Sequence, residues 1–337
     1  MSATVVARAG TGMRLRSETA VAVVVFVLLA LLPAVTSGYV VYILPQYLLY
    51  GVLAMSLSLL WGFGGILSFG QAAFFALGAY AMGLAQQWEL PVNSAYVALL
   101  LAIATGGVLA AVVGYFLFSA GVRDVYFVLV TLALSIMTEQ ITISQSQITG
   151  GYNGMFVPRM SLSLGGASLD LSADLPIYYT ILPVVIALYV LLRVIVASRF
   201  GKVVAGIREN EDRVLSLGFR TPLYKTALFA LSGAVAGLAG ALYGTHASFV
   251  SPSLAGVLFS TQVVVWVAIG GRESLLGALL GAVGVAALSN YLTAITPEYW
   301  QLVVGIVFVV VIMAFRGGVA GALARLAAPR AQESEDA

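Results

Sequence analysis

The 337-residue chain contains no cysteine, a single histidine and little charge, with sixteen Lys and Arg, fourteen Asp and Glu, and 9% of residues charged in all. Soluble domains carry about 25% charged residues, so an ordinary globular domain is excluded. The absence of cysteine excludes disulfides, thiolate metal sites and cysteine nucleophiles, and His246 alone cannot build a multi-histidine metal centre. A net charge of +2 is too small to give a nucleic-acid-binding field. A phosphate-binding loop is missing as well: the only Gly-Lys pair, Gly201 and Lys202, is followed by Val203 and lacks the upstream glycine spacing. No cofactor is expected, and any ATP hydrolysis belongs to another polypeptide.

What is present is apolar length. The segments between Glu18 and Glu89, Glu89 and Arg123, and Lys225 and Arg272 hold 70, 33 and 46 residues without Asp, Glu, Lys or Arg. A helical crossing needs roughly 20 apolar residues, and continuous runs without alternation exclude barrel strands. The reading is an all-α polytopic membrane protein of about ten transmembrane helices. Spans are expected at 20–37, 40–61, 66–86, 94–120, 125–144, 177–196, 226–245, 255–270, 274–293 and 299–315. The arginine-rich opening resembles a signal peptide, but the length of its apolar run and the spans that follow favour a retained first crossing.

Charge sidedness sets the orientation. With ten spans and both termini cytoplasmic, Arg159 is the only Lys or Arg left outside. Removing one span would put the seven cations from Arg193 to Lys225 on the opposite side from one terminus. The expected organisation is a cytoplasmic segment 1–19, a permease domain 20–316 with an external loop 145–176 and a cytoplasmic segment 198–225, and a cytoplasmic tail 317–337. The eighth span, only 16 residues, is also compatible with a re-entrant segment.

Few side chains are suited to chemistry in the membrane. Glu139 is the one carboxylate inside an expected span, near the outer end of its helix, and reads as interfacial. Glycines four apart, such as Gly233 and Gly237, read as helix packing. The cluster Gly62, Gly64, Gly65, Ser68, Gly70 and Gln71 is different in kind, because it puts glycines and polar groups at a span boundary, where irregular backbone is tolerated only beside protein or a water-filled path. Ser68, Gln71, Thr261 and Gln262, with Gly64, Gly65 and Gly70, are the candidate substrate path.

The stretch SRFGKVVAGIRENEDRVLSLGFRTPLYK, from Ser198 to Lys225, combines cations with apolar groups at helical spacing. Asn210 is placed to cap a short helix opening with Glu211 and Asp212, and Gly218 to end it. Such an element suits docking to a cytoplasmic partner, through Arg208, Glu209, Asn210, Glu211, Asp212, Arg213 and Gly218.

Five blocks then resemble a known family: GFGGILSFGQAAFFALGAY (62–80), TGGYNG (149–154), IRENE (207–211) with Gly218 following, LSGAVAGLAGALYG (231–244) and IGGRESLLGALLGA (269–282). Together they resemble permease subunits of branched-chain amino-acid ABC importers. The resemblance implies a plasma (inner) membrane subunit of a prokaryote, pairing with a second homologous permease, two cytoplasmic ATPase subunits and an extracytoplasmic solute-binding protein. It also implies that the segment matching Arg208 to Gly218 docks on the ATPase. The block WVAIGGRES (266–274) resembles the related urea and short-chain amide permeases, which leaves that cargo as the alternative. An ion-coupled secondary transporter is the rival class, and it calls for a buried carboxylate that the sequence does not offer.

The ten-span reading is open to direct test. Reporters fused after Ser37, Glu89, Gln147, Ser251 and Pro297 are expected to read external, and those after Arg123, Phe200, Arg272 and Arg316 cytoplasmic. A cytoplasmic reading at Gln147 would overturn it.

Overall fold

The computed structural model describes residues 3–36, 38–87, 94–164, 167–170 and 173–295, together with 302, 305 and 306. Long apolar segments must close their own backbone hydrogen bonds, and they do so as helices. In chain order these are α1 (Ala3–Val35), α2 (Tyr39–Ser58, continued by a π turn Leu59–Phe63), α3 (Gln71–Gln87), α4 (Ser94–Ser119) and α5 (Asp124–Ser144). They are followed by α6 (Ser146–Thr149), α7 (Asp174–Ala197), α8 (Arg199–Glu209), α9 (Glu211–Ser216), α10 (Thr221–Ala247), α11 (Val257–Gly270) and α12 (Leu275–Ile295).

Among the described residues, six helices are long and apolar enough to cross a bilayer: α2 with its π turn, α4, α5, α7, α10 and α12. The other expected crossings are shorter. Thr19–Val35 and α11 are apolar but brief, the latter with 14 residues, and α3 has 17. The expected span 299–315 lies almost wholly outside the described residues.

Between α5 and α7 the chain turns back on itself. Gly150, Gly151 and Gly154 all take positive φ, and a Cβ on Gly150 would stand 2.0 Å from the Gly154 carbonyl oxygen, so the TGGYNG block is a turn that only glycine permits. β1 (Met155–Phe156) then pairs antiparallel with β4 (Phe249–Val250), which follows α10. β2 (Ser161–Leu164) and β3 (Ala167–Asp170) form a separate antiparallel hairpin.

Packing in the bundle is governed by glycine. In lipid, apolar faces gain little from leaving their solvent, so helices associate by close van der Waals approach of small residues. The central helix α10 carries Gly233, Gly237, Gly240 and Gly244 toward α3 and α4. A Cβ on Gly240 would fall 1.8 Å from the Phe75 carbonyl oxygen, and one on Gly237 2.3 Å from that of Ala102. The partners reciprocate: a Cβ on Gly78 of α3 would meet the Gly237 carbonyl oxygen at 1.9 Å, and one on Gly106 of α4 that of Gly233 at 2.3 Å. The α11–α12 pair repeats the device, with Gly270 against Gly277 and Gly281 against Trp266.

These contacts predict a position-specific cost. Gly240→Ala forces α10 and α3 apart and is expected to destabilise the detergent-solubilised protein by about 1–3 kcal/mol, as overpacking does. Gly284→Ala on α12, where nothing lies within 4 Å of the added Cβ, is expected to leave the melting temperature in place. Equal midpoints for the two variants would contradict the packing account.

Candidate functional site

Helix α2 does not pass directly into α3. It tightens into the π turn Leu59–Phe63, a rare geometry frequent at functional sites, and residues 64–70 then run without helical structure before α3 begins at Gln71. The glycines are there for space. A Cβ on Gly62 would lie 1.7 Å from the Arg272 carbonyl oxygen, one on Gly64 2.5 Å from Leu228, and one on Gly65 2.9 Å from the Arg208 side chain, where φ is also +71°.

The polar groups of this unwound segment are answered from other helices and from within the segment. The Phe69 amide donates to Thr131 Oγ1 at 3.1 Å, and Ser135 Oγ donates to the Phe69 carbonyl at 2.7 Å. Ser135 also accepts from Ser260 of α11 at 3.2 Å. Ser68 Oγ accepts from the Gly70 amide at 3.1 Å, and Gln71 Oε1 accepts from Ser56 Oγ at 3.1 Å. Ser68 and Gln71 are therefore buried, within the walls of the bundle and not on an open surface. Thr261 and Gln262 lie apart from them on an exposed face of α11, where Thr261 Oγ1 donates back to the Val257 carbonyl at 2.8 Å. The structure thus splits the seven path candidates between the hinge, where Gly64, Ser68, Gly70 and Gln71 are buried and Gly65 is exposed, and an outward face of α11. The α5 residues Thr131 and Ser135, four apart, were not singled out in the sequence, although their helical spacing was visible there.

On the cytoplasmic side of the charge argument, α8 and α9 form a bent pair. Ser198 caps α8, accepting from the Gly201 amide at 3.3 Å, and Asn210 caps α9, accepting from the Arg213 amide at 2.9 Å. Gly218 follows with φ +86°, so the chain turns out of α9 in the left-handed region that glycine favours. Val204, Ile207 and Val214 are the buried side. The other face is open and partly apolar, with Leu217 72% and Leu215 42% exposed beside Phe219, and with Glu209, Asp212 and Arg213 around them also exposed.

Two charged residues of this segment face inward. Arg208 donates to the Gly62 carbonyl oxygen and pairs with Glu273, which ties the end of α8 to the π turn and to the turn before α12. That turn is also held by Ser58 Oγ, donating to the Arg272 carbonyl at 2.8 Å. Glu211 accepts from Lys225 Nζ at 2.6 Å and Thr221 Oγ1 at 2.8 Å, with Arg123 at 3.5 Å. Burial pushes the Glu211 carboxyl up, but the bonds from Lys225 and Thr221 and the charges of Lys225 and Arg123 outweigh it and hold it below the ordinary value of 4.5. A lowered carboxyl contributes its stabilisation above the ordinary value and loses it only as pH falls through the lowered one, so the clamp is intact at neutral pH. Phe118, Arg123, Glu211, Leu215, Thr221 and Lys225 surround a cavity of about 220 Å³ beside it.

Glu139 of α5 stands at the start of α11: a Cβ on Gly256 would meet its carboxylate oxygens at 3.1 and 3.2 Å. A carboxylate there complements the positive end of the helix. Among the described residues, no three His, Cys, Asp or Glu side chains gather into a metal-binding group.

Comparison with known proteins agrees with this architecture. The family model described as branched-chain amino acid transport system / permease component matches residues 39–312. The high-affinity branched-chain amino acid transport system permease protein LivM of Escherichia coli is 28% identical over 307 residues, covering 84% of this chain and 70% of the relative. LivM of Salmonella typhimurium is 28% identical over 81% of this chain and 68% of its own length. A probable LivM of Methanocaldococcus jannaschii is 24% identical over 71% of this chain and 77% of its own. No solved structure matches the chain. With four fifths of its length inside the family model, a glycine-packed helical bundle and a folded segment between α7 and α10, the chain belongs to the family of permease components of branched-chain amino acid transport systems.

Proposed function

We propose that this protein is a transmembrane permease subunit of an ATP-driven, binding-protein-dependent importer of branched-chain amino acids in the plasma (inner) membrane of a prokaryote. The cargo follows from the relatives, all named for branched-chain amino acid transport. In this reading the chain is a transport subunit without hydrolytic chemistry of its own. It works with a second homologous permease, two cytoplasmic ATPase subunits and an extracytoplasmic solute-binding protein. Ten spans with both termini cytoplasmic put α8 and α9 on the ATPase side.

The observation that carries the reading is the α8–α9 pair. A segment that merely linked two spans would need neither two side-chain caps nor internal clamps on Arg208 and Glu211. Its outer face combines Leu217, Leu215 and Phe219 with Asp212 and Arg213, an apolar patch with a charged rim such as protein interfaces use. The roles of the segment then divide. Glu209, Asp212 and Arg213 face the ATPase; Asn210 and Gly218 shape α9; Arg208 and Glu211 pass its displacement into the bundle. Arg208 hands it to Gly62 and Gly65 at the hinge, where Gly64, Ser68, Gly70 and Gln71 form the part of the path free to change conformation. Thr261 and Gln262 face the partner permease or the path from α11.

Two substitutions in the assembled transporter separate docking from transmission. Leu217→Asp puts a charge into the apolar patch and is expected to remove the ATPase subunits from the purified complex while the permease still inserts. Glu211→Gln keeps the outer face, leaves Lys225 without its carboxylate and Arg123 with Asp212 alone, and is expected to retain the ATPases but raise ATP hydrolysed per leucine imported. Asp212→Lys, on the exposed rim, should weaken docking only by the modest worth of a surface charge, about 0.2–1 kcal/mol. Normal subunit yield and leucine uptake in reconstituted vesicles for both Leu217→Asp and Glu211→Gln would refute the coupling role.

A further inference from the structure

Helix α2 is the most enclosed of the long helices, yet it keeps one stripe open. From Tyr39 to Ser58 the residues that are not buried are Tyr39, Val40, Tyr42, Ile43, Gln46 and Tyr50, and everything from Gly51 to Leu60 is buried. Tyr39, Tyr42, Gln46 and Tyr50 fall at spacings of three and four, along a single helix face. All four end in hydrogen-bonding groups. The other spanning helices expose mainly apolar residues, as with Leu100, Val108 and Phe116 on α4 and Val190 and Val194 on α7, which suit contact with lipid chains, beside single tyrosines such as Tyr115, Tyr126, Tyr179 and Tyr291.

An aromatic belt at the membrane surface would account for Tyr39 and Tyr42. It does not account for Gln46 and Tyr50, which lie about 10 and 16 Å further along the helix from Tyr39. At that depth an amide and a phenol turned toward hydrocarbon forfeit hydrogen bonds that water would supply. They are instead organised. Gln46 Nε2 donates to Tyr50 Oη at 2.8 Å, and Tyr39 both donates to and accepts from Asn290 of α12, at 3.1 and 2.9 Å. At its inner end the stripe stops on stacked rings. Tyr50 lies against Trp266 with centroids 5.0 Å apart and planes at 27°, and against Tyr243 at 5.6 Å and 25°.

We infer that this stripe is the wall of a water-filled groove for cargo, open at the Tyr39 end and closed at the Tyr50, Tyr243 and Trp266 stack. The inference rests on the importer reading for its cargo, an α-amino acid with a branched aliphatic side chain. Aromatic faces at the stack receive the aliphatic group. The Gln46 amide and the tyrosine hydroxyls offer neutral, exchangeable hydrogen bonds to the ammonium and carboxylate, and bonds of that kind hold cargo without trapping it. Passage beyond Tyr50 requires the stack to part, since α2 offers no open residue below it.

The absence of cysteine from the chain allows a clean test in the complete transporter. Tyr42→Cys, Gln46→Cys and, for comparison, Val108→Cys are each introduced singly into the complex in membranes. They are treated with a charged, membrane-impermeant methanethiosulfonate, and modification is read by mass on the isolated subunit. Only a thiolate in contact with water reacts, so positions 42 and 46 are expected to react about tenfold faster or more than position 108. Leucine-loaded binding protein with ATP should slow both. Rates at 42 and 46 no higher than at 108 would overturn the groove and show the stripe covered by lipid or another helix. Leucine uptake by the cysteine-free parent is measured separately: fast labelling without uptake supports the groove and retires the branched-chain cargo, whereas uptake without labelling retires the groove alone.

Discussion

Everything in this fold depends on how closely α10 can approach its neighbours. In a bilayer there is no solvent-driven collapse to hold helices together, so contact distance decides which pairs form. Gly233, Gly237 and Gly240 bring its backbone against those of α3 and α4. The same helix anchors both proposed sites. Thr221 and Lys225 at its start hold Glu211 of α9, and Tyr243 near its finish lies in the aromatic stack on Tyr50. A side chain inserted in the middle of α10 would displace both ends together.

Given that frame, the remaining problem is the segment 64–70, which leaves helical structure inside a protein with little water to spare for it. Its backbone groups are met by Thr131 and Ser135 of α5, while Leu60 accepts from the Ile66 amide at 3.0 Å. Most of these partners are hydroxyl groups, whose bonds within membranes average only about 0.6 kcal/mol. That strength is enough to specify the unwound conformation and weak enough to be exchanged. Gly62 and Gly65 lie against Arg208, so the unwound stretch adjoins the α8–α9 segment proposed to dock a cytoplasmic partner.

Much of this was legible in the sequence, for identifiable reasons. Hydropathy locates helices because a bilayer leaves the backbone few alternatives, and the six long apolar helices coincide with six of the expected spans. The caps at Asn210 and Gly218 were readable because capping is local chemistry, carried by the residue and its next few neighbours. Partners across the fold were not. Glu211 looks like an exposed first-turn carboxylate until Thr221 and Lys225 at the start of α10 and Arg123 before α5 are brought to it. Ser68 and Gln71 stand out in the sequence because they are polar and flanked by glycine, but that they are buried, Ser68 bonded to the Gly70 amide and Gln71 to Ser56 of α2, is visible only in the fold. The stripe on α2 was written at helical spacing, but tyrosine and glutamine in an apolar run carry no sign of which face stays open until the buried faces are known.

The hinge and the stripe meet on one helix. Gly62, which receives Arg208, and Tyr50, which closes the stripe, both lie on α2 and its π turn. They are twelve residues apart, about 18 Å along the axis. No loop intervenes, and the residues between them are almost all buried, so a displacement imposed on Gly62 cannot dissipate in local rearrangement before it reaches Tyr50. In the proposed coupling, a pull on Arg208 would move α2 as a unit against α11 and α12. Gly51 rests on Leu279 of α12, where an added Cβ would stand 3.0 Å from the leucine side chain. That contact lies one residue from Tyr50, so α2 has little room to shift there without parting the rings of Tyr50 and Trp266.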